Sequence, residues 1–365
     1  MPSVNVAFRV DASQDIGTGH VMRCLALADF LRHRGAVCRF VCRDLLGNMA
    51  EHISGLGYRV DLLSAKTSPP RAQLEGEYAH WLGGTAAEDA VQTRQALVDG
   101  LLDWLVVDHY GLDLSWEREI RGRCSKRLLV IDDLANRGHL CDVLLDQNPG
   151  RVPADYDGLL PIECRRLVGP RYALLRPEFA AYRTQSLKRR IRSGVRRLMV
   201  TLGGMDKDHR TLDVLRALSA CDLPAECRIV VVMGALAPGI AQVRDVAAGM
   251  QVPTEVRVGV TEMAVLMADS DVAIGAGGVT ALERCCLGIP TLTIVVAENQ
   301  RRGAEALAEQ GAALLLDHGL AFEVGFKKAF DKFGDPAFLE KMQGVCASMV
   351  DGMGVNRVAE EMLGV

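Results

Sequence analysis

Val4-Asn-Val-Ala-Phe-Arg-Val-Asp-Ala-Ser-Gln-Asp-Ile-Gly-Thr-Gly-His-Val-Met-Arg-Cys-Leu-Ala-Leu-Ala28 decides how the rest of the chain is read. Residues 4–10 are short, mostly apolar and β-branched, the pattern of a buried strand. Residues 21–34 carry apolar side chains at helical spacing and stop at Gly35. Between them a polar loop ends in Gly17-Thr18-Gly19-His20, whose glycines permit a tight turn and close approach of a ligand. His20 then falls at a helix N-terminus, where free N–H groups make an anion site and the dipole disfavours imidazolium. A neutral histidine beside an anion site suits a general base; a histidine that merely caps the helix is the plainer alternative. A dinucleotide fingerprint needs a third glycine where Met22 or Arg23 stands, so a ligand loop is expected and not a nicotinamide site.

Working outward, residues 37–42, 59–63, 104–107, 127–131 and 143–145 read as strands, with helices at 48–56, 85–99 and 114–124. This alternation implies a parallel sheet covered on both faces, with ligands beyond the carboxyl ends of its strands. Asp11, Asp108-His109-Tyr110 and Asp132-Asp133 fall at such ends, although aspartates there also serve as caps and turn formers. Asp11, Asp108 and Tyr110 are the site candidates among them. Residues 67–84, with Pro69-Pro70, read as a surface loop or lid, and 149–169 as loop. The basic run 186–197 reads as a solvated linker.

The pattern then restarts. A strand at 198–202 runs into Gly203-Gly204 and a helix at 209–220, a candidate phosphate cradle. Further strands at 228–233, 254–258, 272–274 and 288–294 alternate with helices. Gly275-Ala-Gly-Gly-Val-Thr280, with Glu283 beyond it, is the strongest signal here. Turn amides and the Thr280 hydroxyl can meet phosphate, and a carboxylate in the first helical turn can accept from a ribose diol. Glycines for close packing and an acid near a helix start are the bland account. Asp335-Pro336 opens a last helical stretch. The expected fold is α/β, with two doubly wound Rossmann-like domains at 1–185 and 186–345, and a C-terminal helix at 346–365 that returns to the first.

At 365 residues the chain is long enough for two domains. A net charge of −4 leaves no electrostatic footprint for nucleic acid. No apolar run reaches the roughly 18 residues of a membrane span, and no signal segment precedes the first strand. The 11 cysteines are scattered through apolar segments without zinc-site spacing, as in reduced thiols of a cytoplasmic protein. A monomer without metal or cofactor is expected.

Two doubly wound domains with Gly-rich first turns resemble the GT-B nucleotide-sugar fold. The stretch from Gly275 to Glu283 is similar to the donor site of the glycosyltransferase that adds N-acetylglucosamine to lipid I. Residues 8–28, Asp108-His-Tyr110, residues 167–179 and Asn299-Gln300 resemble the UDP-sugar hydrolase of the pseudaminic acid pathway, so that the likeness takes in nearly the whole chain. The resemblance implies metal-independent, inverting hydrolysis of a UDP-diacetamido-trideoxy-altrose to UDP and free sugar, water attacking the anomeric carbon. It puts the catalytic histidine on His20 and the active-site tyrosine on Tyr110, with Gly17 and Gly19 in the ligand loop. It puts Glu283 on the ribose, Gly277, Gly278, Val279 and Thr280 at the phosphates, backbone from Val260 to Met263 at the uracil, and Asn299 and Gln300 at the sugar. Asp206, just after Gly203-Gly204, departs from a phosphate cradle because its charge repels a diphosphate. A sugar transferase, a non-catalytic nucleotide-sugar binder and a hydrolase of a related N-acylated sugar nucleotide are the competing readings.

Overall fold

The computed structural model describes residues 3–65, 78–190, 195–235, 237–316 and 322–364. The chain forms two compact units, Met1–Leu174 with Gly354–Val365, and Leu175–Met353. In the first unit β1 (Asn5–Val10), β2 (Val37–Arg43), β3 (Arg59–Leu63), β4 (Leu102–Asp108), β5 (Ser125–Ile131), β6 (Val143–Asp146) and β7 (Arg165–Val168) alternate with α1 (Gly19–His33), α2 (Ala50–Gly55), α3 (Ala86–Ala96) and α4 (Leu114–Ile120). Neighbouring strands are parallel, in the order β3-β2-β1-β4-β5-β6-β7. Both faces of such a sheet are covered, so β1 and β4 are buried along nearly their whole length. Phe8 stacks on Phe40 with centroids 4.9 Å apart. Burying each such ring contributes about 1.5–3 kcal/mol. The strand order reverses between β1 and β4, the place where sheets of this kind bind ligands.

Arg9 breaks the apolar pattern of β1. It is fully buried and forks onto Asp11 at 2.6 and 2.8 Å and onto Asp89 at 3.1 and 2.6 Å. Arg43 donates to Asp89 at 2.6 Å, and the indole N–H of Trp116 donates to the same carboxylate at 3.0 Å. Two cations and two anions cancel out of reach of water, the condition on which buried charge is tolerated. The cluster ties β1, β2, α3 and α4 together at the root of the loop leading to His20.

The second unit opens with α5 (Pro177–Arg190) and continues through β8 (Arg197–Thr201), α6 (Arg210–Ser219), β9 (Arg228–Met233), α7 (Ile240–Ala248), β10 (Thr254–Val258), α8 (Met263–Ala268), β11 (Val272–Ala276), α9 (Val279–Cys286), β12 (Thr291–Ile294), α10 (Arg301–Glu309), β13 (Leu314–Leu315), α11 (Phe322–Phe330) and α12 (Pro336–Met349). Its strands are parallel, in the order β10-β9-β8-β11-β12-β13, and reverse direction of progress between β8 and β11. Finally α13 (Gly354–Leu363) returns to the first unit. There Val355, Val358, Ala359 and Met362 join the core built on α1, and the Met362 carbonyl accepts from the Trp104 indole N–H at 2.9 Å.

The sequence expectations for the elements differ from this structure in several places. A boundary at 185/186 would cut α5, and residues 186–190 are its last turn, not a solvated linker. Buried Ser186 donates to the Leu287 carbonyl at 2.8 Å and Arg189 pairs with Asp271 at 2.7 Å. Arg183 donates to the carbonyls of Cys286, Ala347 and Val350, where the ends of α9 and α12 collect partial negative charge. Residues 149–169 include β7, an edge strand disguised by Arg165 and Arg166. The last helical stretch is two helices, broken at 350–353 around left-handed Gly352. Of the segment 67–84 read as a loop or lid, residues 67–77 lie outside the described residues; Ala79–Leu82 form a 3-10 turn with Leu82 buried. All 11 cysteines are buried, and none is in a disulfide. Among the described residues no helix is long and apolar enough to cross a membrane.

Candidate active site

Gly17, with φ of 79°, makes the left-handed turn that leads into α1; Gly19 is the first residue of the helix and His20 the second. Asp108 ends β4, in register with Val10 of β1. Across this switch in strand order, Nδ1 of His20 stands 2.6 Å from Oδ1 of Asp108. A carboxylate has no proton to give, so Nδ1–H donates and Nε2 is the ring nitrogen left to bind or release a proton. Arg23, one turn along α1, donates to both oxygens of Asp108 at 2.7 Å and to Asp133, beyond β5, at 3.1 and 2.7 Å. The Tyr110 hydroxyl donates to Asp133 at 2.5 Å, and the Asn148 amide donates to it at 2.6 Å. One hydrogen-bonded chain therefore runs along the carboxyl ends of β4, β5 and β6.

Burial alone would raise the Asp108 carboxyl, but Arg23 and His20 override it and hold the group far below the ordinary aspartate value. Asp133 is lowered in the same way, against its burial, mainly by Arg23. Tyr110 is pushed up by burial and by the charge of Asp133, so its hydroxyl stays protonated. Two rings meet His20 edge-on, Tyr110 at 4.8 Å and Trp81 at 6.0 Å, and Trp81 stacks on Tyr110 at 5.3 Å. His20 is 9% exposed.

The neighbours of this dyad have structural work. His109 accepts from the Gly111 N–H at 3.0 Å through Nδ1, and burial pushes its pKa down to about 4. Asp11 is not turned to a ligand: Arg9 and the Arg43 backbone N–H, at 2.6 Å, use its oxygens, and it is 1% exposed. Asp108, likewise 1% exposed, serves His20 and not a substrate directly.

In the second unit Gly278 is the N-cap of α9 and no side chain caps the helix, so the amides of Val279 and Thr280 remain for an anion. Gln300 reaches this turn and accepts from the Gly277 N–H at 3.3 Å, whereas Asn299 is exposed. Glu283 lies in the second turn of α9, not the first, partly buried. Burial lifts its carboxyl to about 7 against the pull of Arg176 and, more weakly, Arg284. Val260 stands in the turn after β10, and Met263 opens α8. Gly203-Gly204 does not make the expected second cradle. The helix starts only at Arg210, and the Asp206 carboxylate already accepts from the N–H groups of Arg210 and Thr211 at 2.9 and 3.1 Å. The chain fills that site with its own anion. Gly204 instead packs its carbonyl on Gly234, where no Cβ fits.

Sequence reading does not single out Arg23 or Asp133, and it places Trp81 only as packing inward or covering the site. Arg23 carries a usable signal, three residues after His20 on one helix face. Asp133 resembles any turn aspartate, and Trp81 reaches the site only through tertiary packing.

No protein-family model matches the chain. Over 215 residues, 59% of this chain and 66% of the relative, it is 26% identical to UDP-2,4-diacetamido-2,4,6-trideoxy-beta-L-altropyranose hydrolase of Campylobacter jejuni, so the match spans just under two thirds of that protein. Among solved structures MurG of Acinetobacter baumannii matches over 100% of both chains with a TM-score of 0.72 at 14% identity, which gives the fold as GT-B. Spore coat polysaccharide biosynthesis protein SpsG of Bacillus subtilis is 34% identical over 323 residues, 87% of this chain and 84% of that protein. With that identity over that length, the chain belongs to the family of the spore coat polysaccharide biosynthesis protein SpsG.

Proposed function

We propose that the chain hydrolyses a UDP-linked, N-acylated deoxysugar, of the kind named for the Campylobacter relative, to UDP and the free sugar. The observation that carries this reading is the His20–Asp108 pair at the start of α1, with Nε2 as its free basic atom. Water held at Nε2 attacks the anomeric carbon as the bond to the diphosphate oxygen breaks. The water proton passes to Nε2, and UDP leaves with the bonding electrons. Asp108 stabilises the imidazolium that forms. Diphosphate is already a good leaving group, so strong acid catalysis is not demanded; the uncapped start of α9 suits an anion of this kind. Glu283 suits the ribose diol, and Gln300 and Asn299 the sugar.

Proton NMR of the UDP-diacetamido-trideoxy-altrose with purified protein tests the reading by following the anomeric signal and UDP together. Expected is release of both products, inverted at the anomeric carbon, persisting in EDTA and lost in His20→Ala. Transfer to an acceptor has only the GT-B fold in its favour; tight UDP binding without turnover would select it.

A further inference from the structure

Arg9, Arg43 and Arg284 are all at most 1% exposed. The first two lie on carboxylates. Arg284 has no ion pair among the described residues. Its Nη2 donates to the Ala276 carbonyl at 2.5 Å, and its Nε and Nη1 are buried without a described partner. The guanidinium lies against Gly275, where an added Cβ would fall 2.6 Å from Cζ. Residue 275 is therefore glycine because a cation occupies the space a side chain would need. Burial pulls this arginine down only to about 10, so it remains charged at neutral pH. An isolated buried cation is costly unless an anion lies within reach. The turn it supports, Gly275 to Gly278, ends at the uncapped N-terminus of α9.

We infer that Arg284 is a buried counter-cation for a diphosphate held at the start of α9, acting by charge from beneath the turn and not by contact. The inference rests on the reading that this unit binds UDP. It explains what the turn amides alone do not: an arginine kept where, among the described residues, no carboxylate lies within ion-pair distance and only Glu283 is felt from farther off. In a low-dielectric setting one such charge changes the binding of a diphosphate by tenfold or more, and leaves a neutral nucleoside nearly unaffected.

Calorimetric titration of the full-length protein with UDP, uridine and inorganic pyrophosphate tests this. Arg284→Met removes the charge; Arg284→Gln also removes it but can still donate to the Ala276 carbonyl, and stands in if the first variant does not fold. Arg284→Lys keeps the charge. Expected is a fall of about tenfold or more in the preference for UDP over uridine in the neutral variants, with the preference retained in Arg284→Lys. Equal weakening of UDP and uridine would mark a merely structural arginine and overturn the inference. If the wild type binds pyrophosphate but favours neither UDP nor uridine over it, the nucleotide reading fails; a pyrophosphate affinity that drops in the neutral variants would still support the counter-cation. Wild-type protein that binds neither UDP nor pyrophosphate overturns it.

Discussion

Nδ1 of His20 and Oδ1 of Asp108 stand 2.6 Å apart, and Arg23 grips the same carboxylate through both of its oxygens. The pair fixes the imidazole tautomer by geometry, because only Nδ1–H can face a carboxylate. Asp108→Asn keeps the shape but offers an amide N–H to Nδ1, which moves the proton to Nε2. Turnover should fall about 10²–10⁴-fold while UDP affinity is unchanged. NMR turnover beside calorimetry checks this, and an unaltered rate removes Asp108 from the mechanism.

Tyr110 is tied to the same network through Asp133. Tyr110→Phe deletes one hydrogen bond to a carboxylate that Arg23 and Asn148 still hold, so the stability cost should stay near 1–3 kcal/mol. Turnover should drop as well, since the Tyr110 and His20 rings meet edge-on with centroids 4.8 Å apart. Thermal unfolding and single-turnover kinetics separate the two effects; if neither rate nor substrate affinity changes, Tyr110 has no role in the reaction.

With Glu283 on the ribose, as proposed, uridine binding should depend on pH. Its carboxyl, lifted by burial to about 7, is protonated below that pH and cannot then accept from both ribose hydroxyls. Uridine affinity should rise as pH increases through 7, with proton release on binding, and level off above it. Uridine is the better probe than UDP because it has no phosphate that titrates in this range. Glu283→Gln should bind more weakly and show a flat profile between pH 6 and about 8. A wild-type profile as flat as that of the variant contradicts the assignment.

Asp89 carries the acid limit of stability. Its carboxyl is depressed, since Arg9 and Arg43 outweigh its burial. A group depressed in the folded state stabilises above its unfolded pKa, near 3.9, and loses that contribution as pH falls further. Wild-type stability should therefore decline below about pH 4. Asp89→Asn leaves two buried arginines short of an anion and should cost about 3–5 kcal/mol at neutral pH, with a shallower decline in acid. Urea unfolding from pH 3 to about 7 measures both.

The two sheets were legible in the sequence because buried parallel strands such as residues 127–131 are continuous apolar runs. So was His20, since a Gly-rich loop before a helical pattern fixes its place on the helix. What lay hidden was partnership across sequence distance. Asp108 and His20 are 88 residues apart, and nothing local to Asp108 distinguishes it from Asp11, which is consumed by Arg9. Asp206 already speaks against a cradle at Gly203-Gly204 in the sequence, and the fold turns its carboxylate back onto its own helix. The basic run at 186–190 failed for the opposite reason: Arg189 meets the Asp269 carbonyl and Asp271, partners that a reading by composition does not contain.

The return of α13 sets an order of events in the cell. On a ribosome the first unit cannot be finished when its own strands have emerged, because the covering for α1 and the acceptor for the Trp104 indole are encoded after all of Leu175–Met353. Tandem domains ordinarily mature from the N-terminus onward. Here the half that carries His20 is the last to be fully encoded, and its core can close only after the whole of the second unit has been made.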